Sequence, residues 1–221
     1  MIIPKEIKYL SGWIYQNNTQ CSVFNMLKTI SVFNLKDYKK LDWNRGIIES
    51  DTSLLGEEEF KQSYRYSYFF RESKDFGTLI LLTQNKEITS FIHNLLFAKS
   101  KDFLVIGVET HKIVHKILAG QSHYLTTTIH ARIAGMRQKV NSISLYGMDV
   151  IRSPIYREYE NNLELTSCGL GIEDRSSYNG YTEILKVSND GTLSFPCKDP
   201  KVFKRVDRVL NFIYDCFNFY Q

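Results

Sequence analysis

The sequence contains no apolar run that could cross a membrane and no recognisable secretion signal. A membrane helix needs roughly 18 or more apolar residues in succession, and polar residues interrupt every apolar stretch of this chain before that length. The first 13 residues, MIIPKEIKYLSGW, lack an apolar core that leads to a small-residue cleavage site. We therefore expect a soluble protein that stays in the cytoplasm.

Cysteine and proline are both scarce. The four cysteines form no Cys-x-x-Cys pair, which excludes the spacing of zinc fingers and thioredoxin-like redox sites. In the cytoplasm such cysteines are expected to be free thiols. With four prolines, no Gly/Ser-rich linker and no internal repeat, the sequence predicts one continuous domain over residues 1–221.

Several well-known enzyme motifs are also missing. The chain has no Walker loop, no dinucleotide fingerprint after a strand, no Gly-x-Ser-x-Gly and no set of kinase motifs. These absences exclude the enzyme classes that such motifs identify. Divergent enzymes and non-catalytic proteins remain.

Apolar periodicity predicts a mixed α/β (α+β) fold, in which a mixed sheet is flanked by helices and an amphipathic helix closes the C-terminus. Three successive segments indicate this fold: a predicted helix at residues 87–98, a buried strand at 102–109 (DFLVIGVE) and a helix at 111–118 that ends at Gly120. Asp190-Gly191 predicts a tight hairpin, whereas the glycine-containing residues 167–180 predict a loop. Further strands are predicted at residues 64–70, 77–83, 125–133, 140–150, 162–167, 182–187 and 192–195.

The predicted C-terminal helix carries a basic face opposite an apolar stripe that runs from Val202 to Phe217. With a net charge of +4, such a face is a candidate for salt-dependent contact with the phosphates of nucleic acid. The alternative is an ordinary solvated face, because Asp199 and Asp207 dilute its charge. The candidate nucleic-acid-binding residues are Lys201, Lys204, Arg205 and Arg208.

Glu59-Phe60-Lys61 has the Glu-x-Lys form of many metal-dependent nucleases, in which a carboxylate holds the metal and a lysine orients the attacking water. Asp51 is a candidate second ligand, and Glu109 lies at the end of the predicted buried strand at residues 102–109. The alternative is a chance triplet in a solvated acidic turn. The predicted catalytic residues are Glu59, Lys61 and Glu109. The predicted metal ligands are Asp51, Glu59 and Glu109. If the protein is a nuclease, we expect Mg²⁺ or Mn²⁺ as its cofactor; if it is not, we expect no cofactor.

A histidine pair offers a second metal hypothesis. His111 and His115 are four residues apart and would share one face of a helix. Together they could hold zinc if Glu109 or His123 supplied a third ligand. The alternative is two surface histidines on an amphipathic helix.

Part of the chain resembles the Schlafen core domain. Glu59-Phe60-Lys61 resembles the acidic-Phe-Lys element of that family, residues 97–109 (FAKSKDFLVIGVE) resemble its second segment, and residues 112–114 resemble the apolar run after that segment. The resemblance covers about 60 residues. Some Schlafen proteins cut RNA with three acids, so the resemblance implies that Glu59 is the second acid and that Glu109 takes the place of the usual aspartate. Leu54 stands at the first acid, unless Glu57 or Glu58 replaces it.

Two classes of function remain open from the sequence. The first is an intracellular protein that binds RNA or DNA. If it is an enzyme, it would be a metal-dependent nuclease. The second is a non-catalytic protein-interaction module, such as a complex subunit, an inhibitor or an immunity-type protein. For this second class the aromatic segment Tyr64–Phe70 is the expected interface.

Overall fold

The chain divides into two compact units. The structure, a computed structural model, describes residues 8–18, 23–28, 32–33, 43–50, 64–73, 77–84, 86–94, 102–133, 141–197 and 202–217. Unit 1 comprises residues 1–106 and 197–203, and unit 2 comprises residues 107–196 and 204–221. The predicted single domain stays a prediction, because two compact units can belong to one folding domain or to two.

Unit 1 is an antiparallel sheet with short helices. The elements in chain order are β1 (Tyr9–Asn17), α1 (Val23–Lys28), β2 (Val32–Phe33), β3 (Asn44–Ser50), β4 (Tyr64–Ser73), β5 (Thr78–Thr83), α2 (Lys86–Ile92) and β6 (Phe103–Val105). The strand order is β2-β3-β4-β5-β1, and the short β6 also pairs with β1.

Both faces of the central strands in unit 1 are buried. Every residue of β5 is buried, as the continuous apolar run predicts. In β4 the residues from Tyr66 to Phe70 are all buried, although the Tyr64/Tyr66/Tyr68 alternation suggests one covered face. These aromatic side chains belong to the core, so this part of the predicted interface segment presents no contact surface.

Unit 2 is also an antiparallel sheet. Its main elements are α3 (Thr110–Leu118), β7 (Leu125–Ile133), β8 (Ser142–Tyr146), α4 (Pro154–Tyr159), β9 (Leu163–Glu173), β10 (Tyr181–Ser188), β11 (Thr192–Pro196) and α5 (Val202–Ile213), which belongs to unit 2 from Lys204 onward. Short 3₁₀ turns occur at Val150–Arg152, Glu160–Asn162 and Tyr214–Cys216. The strand order is β11-β10-β9-β7-β8.

Local sequence signals explain several boundaries in unit 2. The predicted Asp190-Gly191 hairpin is confirmed: Gly191 has a φ of 80°, and its N–H donates to the Ser188 carbonyl at 3.0 Å. The predicted end of a helix at Gly120 is confirmed as well, with a φ of 70°. The apolar stripe of α5 is buried as expected at Val206, Leu210 and Ile213.

The predicted mixed α/β fold is wrong. Every strand pairing named above is antiparallel and the helices are few and short, so the described part of the chain is predominantly β. Residues 102–109 misled the prediction: only Phe103–Val105 form a strand, and that strand pairs antiparallel with β1. Ile106 and Val108 are buried outside any strand. A short apolar run indicates that a segment is buried, but it does not indicate whether the neighbouring strands run parallel or antiparallel to it.

The predicted loop at residues 167–180 is wrong in its first half, because β9 continues to Glu173. Its glycines serve close packing within the sheet. A Cβ atom on Gly171 would come within 2.5 Å of Thr127 Cγ2 and 2.9 Å of the Thr182 carbonyl oxygen. Threonine side chains and neighbouring backbone therefore occupy the space that another residue type would need.

Within the described part of the chain, no helix combines the length and the apolar character that crossing a bilayer requires. The longest of them, α5, has 12 residues.

One side chain ties three elements of unit 2 together. Asn189 Oδ1 accepts hydrogen bonds from the Thr110 hydroxyl at 2.6 Å and the Thr110 N–H at 3.2 Å. Its amide nitrogen donates to the Leu165 carbonyl at 2.5 Å. Asn189 thereby joins the start of α3, strand β9 and the β10–β11 turn.

We expect Asn189→Ala to lower the free energy of unfolding by about 2 kcal/mol, because it removes the acceptor that the buried Thr110 hydroxyl and N–H share and leaves the hydroxyl only the Leu165 carbonyl at 3.4 Å. Urea unfolding would measure the loss. The matched control is Asn161→Ala, the same substitution at another exposed asparagine of unit 2, where we expect about 0.5 kcal/mol or less. Equal losses in the two variants would contradict the role assigned to Asn189.

Candidate functional site

Most of the predicted nuclease residues lie outside the described residues. This applies to Asp51, Glu59 and Lys61. Glu109 is described, and it lies at the N-terminus of α3. Its Oε2 is 2.7 Å from Lys112 Nζ and 3.4 Å from His111 Nε2, so a lysine and a histidine already contact the carboxylate. The catalytic and metal-binding roles of these residues stay predictions.

The histidine pair lies on the exposed side of α3. His111 and His115 are both exposed, and His111 contacts Glu109. The third candidate ligand, His123, contacts Tyr124 instead. Within the described ranges, no three His, Cys, Asp or Glu side chains are grouped closely enough to hold a metal ion.

The basic face of α5 borders a cavity in unit 2. Lys201 lies outside the described residues and Lys204 is exposed, whereas Arg205 and Arg208 both line the cavity. We call this cavity the α5 cleft. It has a volume of about 600 Å³. It is lined by His123, Tyr124, Leu125, Ile172, Glu173, Ile184, Arg205, Arg208 and Val209.

The walls of the α5 cleft follow from strand direction and helical spacing. Leu125 begins β7 and Ile172 lies near the end of β9, and these antiparallel neighbours place those ends side by side. From α5, Arg205, Arg208 and Val209 have the i, i+3, i+4 spacing that puts side chains on one helical face. The cleft therefore has apolar walls and two guanidinium groups on one side.

Three aromatic rings pack beside the cleft. The rings of His123 and Tyr124 have centroids 4.4 Å apart, and Tyr124 lies 5.2 Å from Phe212. His123 and Tyr124 belong to the connection that comes after Gly120, where the left-handed glycine ends α3. His123 is exposed, whereas Tyr124 is buried, so one ring of the pair faces solvent and the other supports it.

The charges of the cleft are not all of one sign. Burial raises the pKa of Tyr124, and the positive charge of Arg208 acts in the opposite direction. No acidic side chain in the described part of the chain forms an ion pair with Arg208. Glu173 contributes a carboxylate to the lining. The cleft can thus accept a flat apolar group together with an anion that contacts Arg208 and avoids Glu173.

The sequence prediction found part of this site. It identified Arg205 and Arg208 from helical periodicity, but it assigned His123 only a metal role and did not identify Tyr124 or Glu173 as site residues. These residues come from segments distant along the chain, and no local spacing relates them to α5.

No protein-family model matches the chain, and no curated protein is significantly similar to it. The resemblance to the Schlafen core therefore stays a prediction.

We expect Arg208→Gln to raise the pKa of Tyr124, because the substitution removes the positive charge that favours the phenolate while the burial stays. Titration of ¹³C-labelled tyrosine by NMR would measure the change, with Tyr124→Phe used to assign the signal. Arg157→Gln removes an exposed arginine elsewhere in unit 2 and should leave the Tyr124 pKa unaltered. An unaltered pKa in Arg208→Gln would contradict the proximity of the two groups.

Proposed function

We propose that the chain binds single-stranded nucleic acid, RNA or DNA, in the α5 cleft. The position of Arg208 carries this proposal. Its guanidinium has no ion-pair partner among the described residues, and it lies beside the His123–Tyr124 ring pair at an apolar cavity. Arginine binds phosphate through charge-assisted hydrogen bonds. Aromatic side chains stack with bases of any sequence.

The size and lining of the cleft favour an unpaired base. Pockets for small organic groups typically enclose roughly 300–1,000 Å³, and the volume of about 600 Å³ falls in that range. Leu125, Ile172 and Ile184 offer the base an apolar surface. In a duplex the bases face each other inside the helix and cannot enter such a cavity without unpairing. The proposed ligand is therefore a single strand.

The charge of the site predicts salt-dependent binding of modest strength. Arg205 and Arg208 favour phosphate, the net charge of +4 attracts a polyanion, and Glu173 repels it. We place this binding in the cytoplasm, where the cysteines of the chain would stay reduced. Cys168 and Cys216 are free thiols, which is consistent with that compartment.

Cleavage of the bound strand is the further possibility that the sequence raises. It rests on Glu59-Phe60-Lys61, on Asp51 and on the resemblance to the Schlafen core, with Mg²⁺ or Mn²⁺ as the metal. A binding assay repeated with either metal would detect shortened oligonucleotides, and Glu59→Gln would abolish the cleavage if Glu59 holds the metal.

We expect Arg208→Gln to weaken the binding of a fluorescein-labelled single strand roughly ten-fold at low salt, because one charged contact to phosphate is lost. Fluorescence anisotropy at several salt concentrations would also show a salt slope smaller by about 0.7, the value for one phosphate contact on a single strand. The matched control, Arg157→Gln, removes the same charge from an exposed site outside the cleft. Equal weakening in both variants would mean that only overall charge matters.

We expect His123→Ala to weaken the same binding by about 1–3 kcal/mol, the usual loss for one base-stacking side chain. His115→Ala is the control, since it removes an exposed histidine that does not line the cleft. Glu173→Gln should strengthen binding, because it removes the repelling carboxylate. Absence of binding by the wild-type chain at low salt would overturn the proposal.

A further inference from the structure

Strand β8 has an open edge. Among the described strands it pairs with β7 alone, in an antiparallel register that sets Ser144 opposite His130. The Gly147 N–H donates to the Thr127 carbonyl, and the Asn141 carbonyl accepts from the Ile133 N–H, both at 3.0 Å. The odd-numbered residues thus turn their backbone groups toward β7. Since these groups alternate along a strand, the even-numbered Ser142, Ser144 and Tyr146 direct theirs to the open side.

This edge lacks the features that usually prevent strand pairing. Natural edge strands carry lysine or other charges, proline or a bulge that keeps other strands away. Residues 141–148 (NSISLYGM) contain no charged residue and no proline, in a chain with 24% charged residues. The pairing of β8 with β7 also shows no register shift. Beside the edge, Tyr146 is 66% exposed and Met148 is 50% exposed.

We propose that β8 pairs with β8 of a second copy of this chain, antiparallel, about a two-fold axis at Ser144. In that register Ser144 faces Ser144 of the second copy, and Ser142 faces Tyr146. Each such pair exchanges two backbone hydrogen bonds, so every outward N–H and C=O of β8 gains a partner. The sheet of one unit 2 then continues into the sheet of the other.

The side chains of β8 match a second copy of themselves. The same register sets Ile143 opposite Leu145, and both are half-buried in a single chain. Opposite apolar side chains stabilise an antiparallel pair, whereas like charges would oppose it. Two copies of a chain with net charge +4 repel each other, and β8 allows them to meet where neither contributes a charge. A symmetric contact of this kind closes on itself as a dimer.

The oligomeric state tests this proposal. Sedimentation velocity or light scattering should give a mass about twice the 25.8 kDa of one chain. Ser144→Lys and Ser144→Glu should each shift the protein to the monomer, because each sets two like charges opposite each other. Ser144→Thr keeps the hydroxyl that contacts His130 Nδ1 at 2.8 Å and should stay dimeric. An equal mixture of the lysine and glutamate variants should recover the dimer, since opposite charges then meet at the axis.

Hydrogen exchange tests the same pairing without a substitution. The amides of Ser142, Ser144 and Tyr146 should lose at least ten-fold in protection on dilution from the dimer to the monomer. The Gly147 amide, which is bonded within its own chain, should not change. A wild-type chain that is monomeric at all concentrations overturns the proposal. A dimer that persists in Ser144→Lys also overturns it. The same holds if the mixture of the lysine and glutamate variants stays monomeric although both variants fold, or if the protection of these three amides does not depend on concentration.

Discussion

The arrangement of unit 2 depends on the hydrogen bonds that the side-chain amide of Asn189 makes. This amide accepts from Thr110 at the first residue of α3 and donates to Leu165 in β9, while the backbone carbonyl of Asn189 accepts from the Val108 N–H at 3.1 Å. These bonds satisfy polar groups at the fully buried Thr110. An unsatisfied polar group lowers the free energy of unfolding most where it is buried. The start of α3 is thereby held against the sheet.

The position of α3 then decides where the aromatic side chains of the cleft lie. The helix ends at Gly120, and the chain that leaves it carries His123 and Tyr124 toward Phe212 of α5. At the other end of α3, the Glu109 N–H donates to the Cys216 carbonyl at 2.7 Å, just after α5. Both ends of α3 thus contact the C-terminal segment. Two rings and two guanidinium groups from distant parts of the sequence meet around one cavity as a result.

The cleft and the β8 edge use different parts of the same sheet. No residue that lines the cleft belongs to β8. Strand β7 takes part in both features, because Leu125 at its start lines the cleft and the residues from Thr128 to Arg132 pair with β8. Pairing of two copies at β8 would therefore not need the side chains that line the cleft.

The sequence alone determined those features that depend on neighbours along the chain. The burial of β5, the bounds of β7, the Asp190-Gly191 turn and the basic face of α5 all follow from local periodicity or turn chemistry. Arg205 and Arg208 could be assigned to one face because a helix repeats every 3.6 residues. Only the tertiary structure decided the direction of the strands and which side chains contact one another. The run at 102–109 is apolar whether its partners are parallel or antiparallel. Likewise, Glu109 is an acid in any fold, and only packing placed Lys112 and His111 beside it and His123 and Tyr124 beside α5.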